Sequence, residues 1–169
     1  MRGNLFLVLI GVGALLCVWL LLWQPPGEGT LQGRAMVIDG DTLEVAGERI
    51  DIFGIDAPEQ DQTCERGGGG TWNCGAEATR LMRRMAHYQI VDCLLRPTAT
   101  PGRRVARCRV GDEDLGRAMV RAGFAVEVSR TGVYAAEEGT ARTGHLGIWS
   151  GSFDNPSAWR AAHAINVED

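Results

Sequence analysis

The chain is predicted to form an α+β domain, mainly β with added helices, whose strands close into a small barrel. Five short segments alternate apolar and polar residues as half-buried strands do, at about 34–39, 41–46, 48–56, 89–95 and 104–110. About three helical patterns are inserted among these strands or follow them. Five short strands with inserted and appended helices suit a small closed barrel.

Glycine and proline mark the boundaries of the predicted strands. Gly40 separates the first two strands, and Gly47 turns the chain between the second and the third. The stretch 60–73 contains four consecutive glycines and is predicted to be a loop. The last two strands flank a turn at 97–102 and are predicted to form a hairpin.

The three helices are predicted from periodicity and from a capping residue. Apolar residues recur at helical spacing from Gly75 to about His87. Asp114 could cap a second helix over 115–122. A third helix is predicted over about 133–146, although two internal glycines weaken it by about 1 kcal/mol each relative to alanine.

The N-terminal segment is predicted to be a membrane anchor. Residues 5–23 form a run of 19 without a charge, which is long enough to span a bilayer as a helix. Arg2 precedes the run and no basic residue follows it until Arg34, so the positive-inside rule places the domain on the extracytoplasmic side. A cleaved signal peptide is the alternative, but the run is longer than a usual signal core. We expect a retained single-pass anchor over 1–26 and a linker over 27–33.

The cysteines point to disulfides. Four of the five cysteines fall within the predicted domain, and an even number in an exported domain suggests disulfide bonds. Cys93 and Cys108 are equidistant from the turn at 100–101 and would face each other across the hairpin, close enough to bond. Cys64 and Cys74 would then join across the glycine-rich loop. Four reduced, buried thiols are the alternative.

The charge balance is unusual for a protein that binds a polyanion. The chain has 21 acidic and 17 basic residues, a net charge of −4, and every basic residue is arginine. Long-range attraction to nucleic acid would be weak or repulsive. Any affinity for nucleic acid must therefore come from local arginines and a bound cation.

Residues 37–60 carry the clearest pattern for a chemical site. Asp41, Asp56 and Glu59 lie at the ends of predicted strands, and clustered carboxylates can bind a hard cation through their oxygens. Pro58 makes the Asp-Ala-Pro-Glu segment a rigid turn that could aim two carboxylates into one space. The pattern predicts a site rather than a run of solvated charge.

Four motifs carry a family resemblance: IDGDT, GIDAPE, GRRVA and a C-terminal GIW, in this order. They resemble the staphylococcal-nuclease-like, or thermonuclease, family over about 33–149. The resemblance implies an OB-fold barrel of five strands with three helices over 34–150. A tail over 151–169 would follow and pack on the domain through Phe153 and Trp159.

The resemblance also implies roles for individual residues. Asp41 and Asp56 match carboxylates that bind Ca²⁺, and Ala57 matches a residue that contributes its backbone carbonyl. Glu59 matches the residue proposed to activate the attacking water, and Arg103 matches an arginine that steadies the phosphate. Together these roles imply Ca²⁺-dependent hydrolysis of a DNA or RNA phosphodiester bond.

Asp51 departs from the family pattern. The family has an arginine five residues before the aspartate that matches Asp56, and this chain has Asp51 there. An aspartate at that place would repel the substrate or add a metal ligand. Arg49 lies two residues earlier on the same strand face, where it could partly recover the lost contact or pair with Asp51.

Three functions follow from these observations. We expect a monomeric, membrane-anchored, extracytoplasmic nuclease-like protein that hydrolyses DNA or RNA with Ca²⁺. The alternative is a catalytically inactive OB-fold module that binds nucleic acid or a protein partner. Asp51 favours that alternative, whereas the intact carboxylate set favours an enzyme. A purely structural envelope protein is the third hypothesis, supported only by the predicted anchor and disulfides.

Overall fold

The structure, a computed structural model, describes residues 29–98 and 100–164. The predicted membrane anchor lies outside these residues, and no helix within them is long and apolar enough to cross a membrane. In chain order the described strands are β1 (Thr30–Val37), β2 (Thr42–Val45), β3 (Glu48–Ile52), β4 (Ile55–Asp56), β5 (Cys64–Glu65), β6 (Thr71–Trp72), β7 (Ile90–Arg96), β8 (Arg104–Val110), β9 (Glu113–Asp114) and β10 (Val126–Glu127). The helices are α1 (Cys74–Ala86), α2 (Leu115–Arg121), α3 (Ala135–Thr143) and α4 (Pro156–Ala164), with a 3₁₀ turn at Gly147–Ser150.

Strands β1, β2, β3, β7 and β8 form a closed five-stranded barrel. Neighbouring strands pair antiparallel in the order β3-β2-β1-β7-β8. The ring closes because β3 pairs in parallel with β8, with Ile50 opposite Arg104 and Ile52 opposite Ala106. The barrel with its helices confirms the predicted α+β class and is consistent with an OB-fold.

Alternate residues of the strands fill the barrel, as the period of two in a strand requires. Helix α1 adds Ala78, Met82 and Ala86 to the same apolar core. None of the inward-facing strand residues is more than 6% exposed; they are Ala35, Val37, Leu43, Val45, Ile50, Ile52, Val91, Cys93, Ala106 and Cys108.

Both predicted disulfides are present. Cys93 lies directly opposite Cys108 in the β7–β8 register, and their Cα atoms are 4.0 Å apart. Cys64 joins Cys74 with a Cα separation of 5.7 Å, bridging the two ends of the glycine-rich loop. The alternative of four reduced thiols is therefore wrong.

The first two helices begin at side-chain caps. Asn73 accepts the N–H of Ala76 at 2.8 Å and starts α1. Asp114 accepts the N–H of Arg117 at 3.0 Å, which confirms the predicted cap of α2. Helix α3 is shorter than the predicted 133–146, because it starts after Tyr134 and ends where Gly144 serves as its C-cap.

The strand boundaries differ from prediction in two places. Strand β1 begins at Thr30 rather than at residue 34, because residues 30–34 pair with β7. Most of the predicted linker therefore belongs to the barrel. The predicted strand 48–56 is broken, since Gly54 adopts a φ of +80°; β4 then leaves the barrel sheet and pairs with β10.

The C-terminal tail contains a helix that the sequence patterns did not predict. Phe153 packs edge-on against Trp149, with ring centroids 4.9 Å apart, in a second apolar cluster that includes the Cys64–Cys74 disulfide. Within the described part of the tail, Phe153 packs against this cluster. Trp159 is half-buried and stacks on His163 of the same helix, with 3.8 Å between ring centroids. Its contact with the barrel stays a prediction.

Candidate functional site

A pocket of about 590 Å³ opens at one end of the barrel. Its walls come from the β1–β2 turn, β3, β4, the residue before β8 and α4. Ala57 is buried behind the wall, at 3% exposed. The pocket brings together six of the residues predicted from the motifs: Asp41, Arg49, Asp51, Asp56, Glu59 and Arg103.

Asp41 lies in the tight turn between β1 and β2. Its backbone N–H donates to Asp39 Oδ1 at 3.1 Å, and its Oδ2 accepts the N–H of Ala57 at 2.7 Å. The second bond ties the two acidic motifs together. Gly40 makes this approach possible, because a Cβ there would lie 2.7 Å from the Cβ of Ala57.

Asp41 has an unusual electrostatic environment. Burial raises its pKa to about 8, and repulsion from Asp39 and Asp56 adds to the rise, while the N–H of Ala57 opposes it. Among the described residues, no arginine or histidine forms an ion pair with Asp41. A buried carboxylate that is repelled by other carboxylates is stabilised by a proton or by a bound cation.

Backbone contacts fix the turn that carries Asp56 and Glu59. Asp56, at 7% exposed, lies opposite Val126 in the β4–β10 pair. The N–H of Glu59 donates to the buried side chain of Gln62 at 3.2 Å. Gly75 of α1 lies directly against the Glu59 backbone, since a Cβ at that glycine would fall 1.5 Å from the Glu59 carbonyl oxygen. Glu59 therefore projects from a turn with little freedom to move.

Arg160 of α4 connects the two carboxylates of this turn. Its Nη1 donates to Asp56 Oδ1 and to Glu59 Oε1, each at 2.8 Å, and its Nη2 donates to Asp56 Oδ2 at 3.2 Å. The hydrogen bond to Asp56 raises the pKa of Arg160 most strongly, and the bond to Glu59 adds to it against the opposing effect of burial. The guanidinium is therefore always charged.

Arg103 pairs with Asp51 on the opposite side of the pocket. Its Nε donates to Asp51 Oδ2 at 2.6 Å, and its Nη2 contacts the same oxygen. The Arg103 side chain is 61% exposed, and that of Asp51 is 18% exposed. Arg49 instead approaches Asp39, with 4.0 Å between Nη2 and Oδ2. A pairing of Arg49 with Asp51 is therefore not what the structure shows, because Arg103 takes that place.

The donor atoms of the pocket suit a hard cation. Asp39, Asp41 and Asp56 offer only carboxylate oxygens, which are the ligands that Ca²⁺ prefers. The raised pKa of Asp41 reflects, after burial, the closeness of the other two carboxylates. Within the described residues, however, no group of three or more His, Cys, Asp or Glu side chains is arranged to hold a metal ion. The chemistry of the donors fits, while their present arrangement is not a finished metal site.

Three site residues were absent from the sequence prediction: Asp39, Gln62 and Arg160. Asp39 lies inside the IDGDT motif, two residues before Asp41 and therefore within reach of the same turn. A local signal for α4 was available, because Asn155 caps a helix that begins at a proline. No local signal shows that Arg160 would contact residues about a hundred positions earlier.

Comparison with known proteins identifies the family of this chain. Residues 49–151 match the protein family described as staphylococcal nuclease homologues. The succinoglycan biosynthesis protein ExoI of Rhizobium meliloti (strain 1021) is 33% identical over 153 residues, which cover 88% of this chain and 80% of that protein. The family match includes Asp51, Asp56, Glu59 and Arg103, whereas Arg160 lies beyond its C-terminal end.

Proposed function

The chain belongs to the staphylococcal nuclease homologue family, and from this premise we propose that it hydrolyses nucleic-acid phosphodiester bonds with Ca²⁺ as cofactor. The observation that carries the proposal is the meeting of Asp41, Asp56, Glu59 and Arg103 in one pocket. These residues come from separate motifs of the chain and supply oxygen ligands, a base and a cation for phosphate. The chemistry of phosphodiester hydrolysis needs all three.

The chain's own residues have distinct roles in the proposed reaction. Glu59 takes a proton from a water molecule whose oxygen forms a new bond to phosphorus. The phosphorus–oxygen bond to the leaving sugar breaks, its electron pair stays on the sugar oxygen, and solvent protonates that oxygen. Arg103 leaves its exposed pair with Asp51 and donates to the phosphate oxygens as their charge increases.

Asp41 and Asp56, with the backbone carbonyl of Ala57, are the residues that would hold Ca²⁺. A bound Ca²⁺ would polarise a phosphate oxygen and offset its negative charge. The N–H of Ala57 orients the Asp41 carboxylate, and the β4–β10 pairing holds the backbone of Asp56. The buried, repelled carboxylate of Asp41 gives the cation an electrostatic reason to bind there.

A catalytically inactive binding module is the second candidate function. The observation that favours it is Asp51, which places a negative charge in the pocket and pairs with Arg103. The relative from Rhizobium meliloti is named for succinoglycan biosynthesis and not for nuclease activity. The two candidates differ in one measurable respect, because only the enzyme loses an activity when Glu59 is changed.

We further propose that the domain is a monomer held on the extracytoplasmic side of a membrane. The uncharged run at 5–23, with Arg2 before it, supports an anchor in this orientation. The two disulfides support an oxidising compartment. Cell fractionation with protease added to intact spheroplasts tests the proposal, since an extracytoplasmic domain is digested without lysis and a cytoplasmic one is protected.

The decisive experiment for the nuclease proposal is a cleavage assay on the full chain. End-labelled single-stranded DNA and RNA are incubated with Ca²⁺ or with chelator, using wild type and Glu59→Gln. We expect Ca²⁺-dependent cleavage and a rate lowered by about 10²–10⁴-fold in the variant, the usual contribution of a general base. Glu113→Gln is the matched control, because Glu113 pairs with Arg121 outside the pocket. A folded wild type that cleaves neither substrate contradicts the proposal.

A further inference from the structure

We propose that Arg160, donated by the C-terminal helix, is a catalytic residue that binds the scissile phosphate beside Glu59. The inference rests on the proposed phosphodiesterase function and adds to it a residue from beyond the family match. Its basis is the position of one guanidinium nitrogen, 2.8 Å from an oxygen of Asp56 and 2.8 Å from an oxygen of Glu59. A phosphate attacked by water at Glu59 must lie within reach of that guanidinium.

The guanidinium of Arg160 keeps donors for a ligand. An arginine carries five N–H donors in a fixed plane, and the contacts to Asp56 and Glu59 use both of those on Nη1 and one on Nη2. None of the described residues accepts from the second N–H of Nη2 or from Nε. The side chain is 46% exposed, so solvent and a substrate can reach these atoms. Two adjacent donors match the geometry of two phosphate oxygens.

The excess of acidic side chains in the pocket means that a phosphate near Glu59 needs a positively charged donor beside it. Five acidic side chains line the pocket, from Asp39, Asp41, Asp51, Asp56 and Glu59, against three arginines. Two of these arginines, Arg49 and Arg103, have side chains more than 60% exposed, and each pairs with an aspartate of the pocket. Arg160 is the arginine that contacts the proposed base. Among the described residues, the arginine that forms an ion pair with Glu59 is Arg160, so a polyanion that reaches Glu59 meets the positive charge of Arg160 there.

The tail that delivers Arg160 is docked along the glycine-rich loop. The carbonyls of Ser150 and Ser152 accept the N–H groups of Gly67 and Glu65, at 2.8 and 2.9 Å. Two residues further on, the backbone carbonyl of Asp154 accepts a hydrogen bond from Gln62 Nε2 at 2.7 Å. The alternation is that of an extended chain, in which every second carbonyl faces the same side. The tail therefore reaches α4 along a fixed line of backbone contacts.

Close packing makes this docking specific. A Cβ on Gly151 would fall 2.2 Å from the Glu65 carbonyl oxygen, and a Cβ on Gly67 would fall 2.7 Å from that of Ser150. Such approaches require glycine on both strands of the contact. The Cys64–Cys74 disulfide closes the loop and belongs to the apolar cluster against which Phe153 packs. Gly67 and the Cys64–Cys74 disulfide together form the surface, here called the platform, against which the tail packs.

Gln62 links the platform to the proposed base. Its side chain is 0% exposed. Its Oε1 accepts the N–H of Glu59 at 3.2 Å, while its Nε2 donates to the carbonyl of Asp154. One buried amide thus bonds to the turn of the base and to the segment before α4. The base and Arg160 are positioned by the same side chain.

The start of α4 aims Arg160 at the pocket. Asn155 caps the helix through the N–H of Ser157 at 3.1 Å, and Pro156 is buried. Arg160 follows Pro156 by four positions and therefore lies on the same face of the helix. Trp159 and His163, also four apart, stack on each other along another face. The buried proline turns the Arg160 face toward the barrel.

In the proposed reaction Arg160 stabilises negative charge on the phosphate and does not transfer a proton. Water is the nucleophile: its oxygen bonds to phosphorus, Glu59 takes its proton, and the bond to the leaving sugar oxygen breaks with the electron pair on that oxygen. Arg160 orients the Glu59 carboxylate through Nη1 and donates to a phosphate oxygen through Nη2 or Nε. Its charge offsets the negative charge that increases on that oxygen.

The test compares Arg160→Gln and Arg160→Lys with wild type, all as the full chain. With labelled single-stranded DNA and Ca²⁺, we expect Arg160→Gln to lower kcat by about 10²–10³-fold, as loss of one donor to the developing charge does in other enzymes. Lysine is expected to recover only part of the rate, because one ammonium cannot reproduce the fork of donors. Arg121→Gln is the matched control, since Arg121 pairs with Glu113 outside the pocket, and we expect its rate to stay close to wild type.

A binding measurement separates Arg160 from the cleavage activity. The Kd for a fluorescent single-stranded oligonucleotide is measured by anisotropy in Glu59→Gln, with and without Arg160→Gln. We expect Arg160→Gln to weaken binding by roughly 10- to 100-fold, the range for a lost hydrogen bond to a charged group. Circular dichroism and a melting curve show that each variant is folded.

Each outcome decides the inference. If Arg160→Gln cleaves as fast as wild type or faster, Arg160 is a structural or obstructing residue and the inference is wrong. If wild type does not cleave, the nuclease proposal fails by itself, and the binding measurement then decides the role of Arg160. Equal affinities with and without the arginine, or no binding in either variant, overturn the inference independently.

Discussion

The candidate site has two sides that hold their arginines in different ways. On the hairpin side, Arg103 precedes β8, is 61% exposed and, among the described residues, pairs only with Asp51. On the tail side, Arg160 bonds to both Asp56 and Glu59 and comes from a segment docked by backbone hydrogen bonds and close glycine contacts. Exposed ion pairs contribute about 0–1 kcal/mol. The hairpin side can therefore exchange partners at little cost, whereas the tail side is fixed by its surroundings.

This difference suggests that the two sides of the pocket have different roles in the proposed reaction. A base must hold its position relative to the attacking water, since small displacements slow such reactions strongly. Glu59 meets that need through Gly75, Gln62 and Arg160. A phosphate-binding arginine at the entrance gains from freedom to follow the substrate, and the exposure of Arg103 gives it that freedom. Gln62→Leu changes the tail side, Asp51→Asn changes the hairpin side, and Asp41→Asn tests the carboxylate that lies between them.

Gln62→Leu should have the largest effect on stability, because it removes the side chain that joins the Glu59 turn to the tail. The change keeps the size of the side chain but leaves the N–H of Glu59 and the carbonyl of Asp154 without their partner. We expect the free energy of unfolding to fall by about 1–3 kcal/mol, the cost of unsatisfied buried polar groups. Urea unfolding measures this change, and the cleavage assay should show a loss in the direction of Arg160→Gln.

Gln32→Leu is the matched control for that variant. Gln32 is exposed on β1, and its amide donates to Asp92 at the surface of the barrel. We expect its unfolding midpoint and its cleavage rate to stay near those of wild type. Equal effects of the two substitutions would show that Gln62 does not couple the tail to the base.

Much of the barrel was predictable because its signals are local. Period-two alternation identified the five strands, and the turn at 97–102 fixed the register that pairs Cys93 with Cys108. The cap at Asp114 gave the start of α2. The carboxylates were found for the same reason, since Asp56 and Glu59 lie in one rigid turn.

The tail side was not predictable, because its contacts join residues far apart in the chain. The pairs of Arg160 with Asp56 and with Glu59 span 104 and 101 positions. No spacing or periodicity carries that information. The same holds for Asp51 and Arg103, which meet because β3 pairs with β8 when the barrel closes. Gly54 was visible in the sequence, but the pairing of β4 with β10 that follows it joins Asp56 to Val126, which lie far apart in the chain.

Asp41 lies between the two sides and should make the stability of the cation-free protein depend on pH. Its pKa is about 8 in the folded state, raised mainly by burial, against 3.8 for the ordinary side chain. Between these values the folded state holds a proton that the unfolded state has lost, so stability falls as pH rises from about 4 to 8. Asp41→Asn removes this loss and still accepts the N–H of Ala57. The free energy of unfolding of Asp41→Asn relative to wild type should grow by at most about 1.4 kcal/mol per pH unit.

Urea unfolding in chelator at several pH values measures this difference in the free energy of unfolding. At about pH 3 and below, wild type and Asp41→Asn should unfold alike, since Asp41 is then largely protonated in both the folded and the unfolded state. Asp112→Asn is the control, because Asp112 is a fully exposed carboxylate. An advantage of Asp41→Asn that stays constant with pH, or that shrinks as pH rises, would contradict the electrostatic account of this residue.

Asp51→Asn should have the smallest effect, because it breaks only the exposed pair of the hairpin side. We expect the free energy of unfolding to change by less than about 1 kcal/mol. The variant removes a negative charge from the pocket and releases Arg103. We therefore expect KM for an oligonucleotide to fall several-fold while kcat changes little. The gain should shrink at high salt, because screening weakens the repulsion that the variant removes.

Asp92→Asn separates this local effect from the change in net charge. Asp92 accepts a hydrogen bond from Gln32 on the barrel surface and lies outside the pocket of Asp51. An equal fall of KM in both variants would show that total charge, and not Asp51, governs binding. A fall of kcat in Asp51→Asn would show instead that Asp51 positions Arg103 for the reaction. The hairpin side would then be as strictly organised as the tail side, and the distinction between them would be lost.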